Sequence, residues 1–130
     1  MGKTETYTKI VGHISKDVAR KYNLYDYEGQ EIIQDLTLTI HASKHRFEFK
    51  DDDSYYTTLD NIELIIDNPY FVYHDPHKNS LLYFKEFKEN VCVVVQLNLR
   101  KNKKTYVATV YPVSTQKIQK YKEKSYIINR

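Results

Sequence analysis

An α+β fold is what this sequence predicts, with N-terminal helices packed on one face of a four-stranded antiparallel sheet and a short C-terminal helix. Two observations carry that expectation. Before Asn68-Pro69 the apolar residues recur at helical spacing, and from Tyr70 onward they recur every second residue. The second half is also cut by short polar turns, which join successive strands into an antiparallel meander. At 130 residues the whole chain, 1–130, reads as one domain around a single core.

The elements follow in order. Tyr7 to Ile14 alternates enough for a short strand. Ser15 is an N-cap for a helix from Lys16 to about Tyr22, where Val18 and Tyr22 lie one turn apart. Gly29 marks a turn, and Glu31 to Ile33 is a short extended piece. Asp35 then caps a helix carrying Leu36, Leu38, Ile40 and His41. Asp51-Asp52-Asp53-Ser54 is a turn or cap cluster that opens a helix from about Tyr56 to Ile66, ended by Asn68-Pro69. Four strands follow: Tyr70–Tyr73, Leu81–Phe87, Val91–Arg100 and Thr105–Tyr111. The third places Val91, Val93, Val95, Leu97 and Leu99 on one face, with Cys92, Val94, Gln96, Asn98 and Arg100 on the other. Strict alternation in the fourth sets Val107, Thr109 and Tyr111 against Tyr106, Ala108 and Val110. Lys101 to Lys104 forms the hairpin tip between them. Ser114 caps a last, basic helix from about Thr115 to Lys122.

Composition excludes several classes. The longest apolar run, Val91 to Val95, is strand-sized and far short of the roughly 20 residues of a membrane helix. The N-terminal Met1-Gly2-Lys3-Thr4-Glu5-Thr6 lacks an apolar leader, and a lone Cys92 forbids an internal disulfide. These features predict a cytoplasmic setting without a membrane partner. Three glycines permit no phosphate-cradling loop, so nucleotide-triphosphate chemistry and a bound cofactor are not expected. The net charge of +3 hides a strong asymmetry. Glu48 to Asp67 holds seven acidic residues against Lys50, whereas Arg100 to Arg130 holds nine basic residues against Glu123. A basic C-terminal third is the footprint of a polyanion such as nucleic acid, or simply a solvated lysine-rich surface.

Three groups of side chains could carry chemistry. His41-Ala42-Ser43-Lys44-His45 puts two imidazoles and an ammonium together if the segment is helical. These are the parts for metal-free RNA cleavage: one His takes the ribose 2′-OH proton, another protonates the leaving 5′-oxygen, and Lys steadies the phosphorane charge. The same cations also suit a solvent-facing helix C-terminus. The His-x3-His spacing and the pair His74 and His77 are alternative zinc clips, although no Glu follows His41 as a metalloprotease motif requires; no metal is assigned. On the sheet, Thr109 and Tyr111 could present hydroxyls beside Arg100 to hold a phosphate, or could be cross-strand packing partners. Tyr55, Tyr56, Tyr70, Tyr73 and Tyr83 could stack on bases.

The ordered strings His41-x-x-Lys44-His45, Ile65-Ile66-x-Asn68-Pro69-Tyr70-x-Val72, Asn79-Ser80-Leu81-x-Tyr83, Val93-Val94-Val95 and Ala108-x-Val110-Tyr111-Pro112-Val113 are together distinctive. They resemble the phage and mobile-element branch of the barnase–EndoU–colicin–RelE-like nucleases, over about residues 10–128. The resemblance implies a single RNA-cleaving domain of helices followed by a four-stranded sheet. It implies His41, Lys44, His45 and Thr109 as catalytic residues. RNA contacts would come from Arg100, Lys103, Lys104, Tyr111, Lys117 and Lys120. The pattern departs at Ala108-Thr109-Val110, where a more polar stretch is expected. A small metal-independent endoribonuclease is the reading that follows, or a catalytically silent RNA-binding or protein-interaction module on the same fold. A toxin or phage-conflict role would bring a protein inhibitor or antitoxin as partner.

Overall fold

The computed structural model describes residues 8–98, 104–124 and 126–127. Its elements are β1 (Thr8–His13), α1 (Lys16–Lys21), β2 (Glu31–Asp35), α2 (Leu36–Ser43), α3 (Asp52–Asp60), α4 (Ile62–Asp67), β3 (Phe71–Asp75), β4 (Ser80–Glu86), β5 (Asn90–Gln96), β6 (Thr105–Pro112), α5 (Thr115–Lys124) and β7 (Tyr126–Ile127). Single 3-10 turns at Tyr25–Tyr27 and Arg46–Glu48 complete the helical part.

The local signals act where the sequence places them. Ser15 Oγ accepts the Val18 N–H at 3.1 Å and starts α1. Asp51 does the same for Ser54 at 2.8 Å, so α3 begins at Asp52, earlier than expected. Gly29 takes a φ of +80°, a left-handed turn that glycine enters without a Cβ penalty. The helix expected from Tyr56 to Ile66 is two helices, because Asn61 leaves helical geometry and its Nδ2 donates to the Thr57 carbonyl at 2.7 Å.

The expected four-stranded antiparallel sheet is overturned. β3, β4, β5 and β6 do form an antiparallel meander, but they are the centre of a seven-stranded mixed sheet in the order β1-β2-β6-β5-β4-β3-β7. β2 runs parallel to β6 through Ile32↔Thr105 and Ile33↔Tyr106, and β1 pairs antiparallel with β2 outside it. The two-residue β7 extends the opposite edge. Periodicity identifies a strand but says nothing of a partner in the distant second half of the chain, so β1 and β2 read in the sequence as isolated pieces.

Helices also cover both faces rather than one. Val91, Val93, Val95 and Leu97 point into the larger core with Val107 and Val110, beneath Ile14, Val18, Leu38, Ile62 and Ile65. Burying each such side chain contributes about 1.5–3 kcal/mol. The opposite face carries a smaller cluster of Phe71, Leu82, Phe84, Cys92 and Val113, against which Ile118 and Tyr121 of α5 pack. β5 is therefore apolar on both sides, as a central strand covered twice must be. It ends at Gln96, short of the expected Arg100.

One irregularity sets the candidate site. Opposite the Val94–Val95 step, β6 contains a bulge: Val94 pairs with Thr109 but Val95 with Val107, leaving Ala108 as the extra residue. The bulge shifts the alternation by one. Val107 joins Val110 in the larger core, while Tyr106, Thr109 and Tyr111 share the other face, so the expected grouping of Val107 with Thr109 and Tyr111 fails.

Candidate active site on the sheet

The second face of the sheet reads as rows across the strands. Phe71, Phe84, Cys92 and Tyr111 form one row, and Tyr73, Leu82, Val94 and Thr109 the next. α5 covers the β3 side through Ile118 and Tyr121, with Tyr121 5.2 Å from Phe84 and 5.1 Å from Tyr73 between ring centroids. At the β6 side the wall comes from α2. β2 pairs with β6 only as far as Tyr106, and α2 packs along β6. Leu38 and Ala42 of α2 are buried in the larger core. The chain then leaves the helix at Ser43, and the next two residues bring His45 over the second face.

There His45 meets two groups. Its ring lies 5.5 Å from that of Tyr111, tilted by 49°. Its Nδ1 is 2.7 Å from a carboxylate oxygen of Glu48, with the two side chains 32% and 54% exposed. A carboxylate accepts, so Nδ1 is the donor in this contact, and in a neutral ring Nε2 would be the acceptor. Tyr111 is the cross-strand neighbour of the buried Cys92 thiol. Burial, reinforced by Cys92, pushes the Tyr111 phenol well above its ordinary pKa, so it is a neutral group at any working pH. Burial likewise holds Cys92 as a thiol.

The other expected residues are placed less tightly. Thr109 is half-buried two residues before Tyr111 on the same face, and its Oγ1 lies 3.5 Å from the Val110 carbonyl. His41 sits in the last turn of α2 and Lys44 just beyond it, both exposed. His45 lies past the end of the helix, its N–H bonded to the Ala42 carbonyl, so the expectation of both histidines on one helix does not hold. Lys117 and Lys120 are exposed on α5, above the β3 side of this face, and Lys104 is exposed just before β6. Arg100 and Lys103 lie outside the described residues.

Glu48 is the member that sequence reasoning missed. The signal is present as His45-x-x-Glu48, but it sits inside an acidic stretch that reads as one solvated surface. The tyrosines expected to stack on bases are otherwise engaged. Tyr55 and Tyr83 are buried, Tyr56 lies under Arg46, and Tyr70 under Lys85. Among the described residues no three His, Cys, Asp or Glu side chains gather to hold a metal ion; His74 instead pairs with Asn79. A cleft of about 600 Å³ lies elsewhere, between β1 and α4. No helix among the described residues is long and apolar enough to cross a membrane.

Neither the curated proteins nor the solved structures contain a significant match to this sequence. Residues 8–120 match the model of a family described as phage-Barnase-EndoU-ColicinE5/D-RelE like nuclease 3. That span takes in the larger core, the meander, α2 with its His45 end, and part of α5. The chain belongs to this family, a nuclease of the barnase–EndoU–colicin–RelE type.

Proposed function

We propose that the chain is a metal-independent endoribonuclease that cleaves by 2′-OH attack. The observation that carries this reading is the His45–Glu48 contact, 2.7 Å long, at the rim of the face bearing Thr109 and Tyr111. A carboxylate on Nδ1 fixes the tautomer that leaves Nε2 able to accept a proton. In the proposed step His45 Nε2 takes the 2′-OH proton, and O2′ attacks the adjacent phosphorus. The P–O5′ bond breaks, and His41 gives the departing 5′-oxygen its proton. The products are a 2′,3′-cyclic phosphate and a 5′-hydroxyl. Lys44 steadies the charge on the phosphorane, with the Thr109 hydroxyl as the sheet's contribution.

Binding of the RNA would draw on Tyr111 and on Arg100, Lys103, Lys104, Lys117 and Lys120, all from the basic C-terminal third. An inhibitor or antitoxin would cover the same face. The test is cleavage of RNA in EDTA by the parent and by His45→Ala, His41→Ala and Lys44→Ala. Loss of roughly 10²–10⁴-fold in rate is expected for each histidine, the usual weight of a general acid or base. A parent that cleaves equally well after both histidine changes would sink the assignment. A folded parent that binds RNA without cutting it would instead fit the silent binding module.

A further inference from the structure

Phe47 is 93% exposed, more than any other large apolar side chain among the described residues. It occupies the middle of the Arg46–Glu48 turn, beside Glu48 and two residues from His45. The rest of that turn is committed. Arg46 grips Asp52 through Nε at 3.0 Å and an Nη at 2.9 Å, and its guanidinium lies over the rings of Tyr55 and Tyr56. Glu48 holds His45, and Phe49 is buried in the larger core. A benzene ring is thus carried out into water on a fixed platform next to His45 and the carboxylate that orients it.

The surroundings admit a polyanion. The carboxylates at the start of α3 are engaged locally: Asp51 caps the Ser54 N–H, Asp52 is paired with Arg46, and Asp53 with Lys88 at 2.6 Å. Lys44 is exposed three residues away. An exposed aromatic ring with a cation such as Lys44 close by suits an unpaired base, since every base offers a face to stack on and a cation can follow the backbone. We propose that Phe47 is a stacking platform for a nucleobase of the RNA, next to the phosphate that His45 serves. This deepens the ribonuclease reading and rests on it.

The chain has no tryptophan, so Phe47→Trp introduces a sole indole. The probe is a single-stranded 2′-O-methyl oligonucleotide, which cannot be cut through its 2′-oxygen, beside the same backbone with abasic positions. Indole emission is expected to change on adding the base-bearing strand and to stay constant with the abasic one. Phe47→Ala should bind the base-bearing strand roughly 5- to 100-fold more weakly than the parent, with little change for the abasic strand. Unaltered emission, or equal affinity of parent and Phe47→Ala for the base-bearing strand, would overturn the platform even in a chain that cleaves RNA. A base-dependent emission change in a chain that never cleaves RNA would support the platform while rejecting the ribonuclease.

Discussion

The imidazole of His45 rests against the ring of Tyr111, centroids 5.5 Å apart, although the two residues come from opposite halves of the chain. Three features bring them together. β2 stops pairing with β6 at Tyr106, α2 packs along β6, and the bulge at Ala108 puts Thr109 and Tyr111 on the face opposite Val107. The contact joins the helical half of the chain to the sheet half at the point where the chemistry is proposed.

Glu48 should matter for turnover more than for stability, because its pair with His45 is largely exposed and such pairs contribute about 0–1 kcal/mol. Glu48→Gln is expected to lower kcat by roughly 10- to 100-fold, by analogy with other residues that orient a ligating or catalytic imidazole, while the urea midpoint barely moves. A kcat equal to the parent's would remove Glu48 from the mechanism.

Tyr111 supports His45 through its ring and lies beside Cys92 across the strands. Tyr111→Phe removes only the hydroxyl and keeps the ring, so it should cost no more than about 1 kcal/mol in unfolding free energy. Tyr111→Ala removes the ring as well and should cost about 3 kcal/mol or more, with a larger drop in cleavage. Urea denaturation of both variants checks the order; equal losses would mean that the ring packs little.

Gly12 lies where β1 crosses α4. A Cβ there would sit 2.7 Å from Ile66 Cγ2, closer than carbon atoms approach. Gly12→Ala is expected to destabilise by about 1–3 kcal/mol, the usual cost of overpacking. Adding Ile66→Ala, which removes that methyl, should return part of that loss in a double-mutant cycle, and purely additive effects would place the strain elsewhere.

Lys104, Lys117 and Lys120 are the described cations expected to follow an RNA backbone. Each change to Gln should weaken binding by a similar factor across sequences. It should also flatten the dependence of log K on log salt by roughly 0.7–1 for each phosphate no longer neutralised. A slope that stays constant through all three changes would show that the RNA does not touch this surface.

Much of this was legible in the sequence, and the physical reason separates what was from what was not. Caps at Ser15, Asp51 and Ser114 and the turn at Gly29 act within a few residues, so their side chains announce them. The meander from Tyr70 to Tyr111 was legible because each strand pairs with the next. The parallel β2–β6 pairing was not, since neither Ile32 nor Thr105 carries a mark of the other. The Ala108 bulge was equally silent: one unpaired residue in an apolar strand leaves the composition unchanged and reverses every side chain beyond it. In the candidate site, the His41-x-x-Lys44-His45 string drew notice by residue type. Glu48 did not, because its neighbours Asp51, Asp52 and Asp53 made it look like one more surface charge.

In the proposed reaction His45, oriented by Glu48, drives attack of a ribose 2′-oxygen on its own phosphate. The most direct measurement is the chemistry of the ends left on RNA cut in EDTA by the parent and by His45→Ala. The parent is expected to leave 2′,3′-cyclic phosphate and 5′-hydroxyl ends and to make no cut at a position whose 2′-oxygen is replaced by hydrogen, while His45→Ala gives little product. Ends bearing a 3′-hydroxyl and a 5′-phosphate, or cleavage at the 2′-deoxy position, would contradict that reaction.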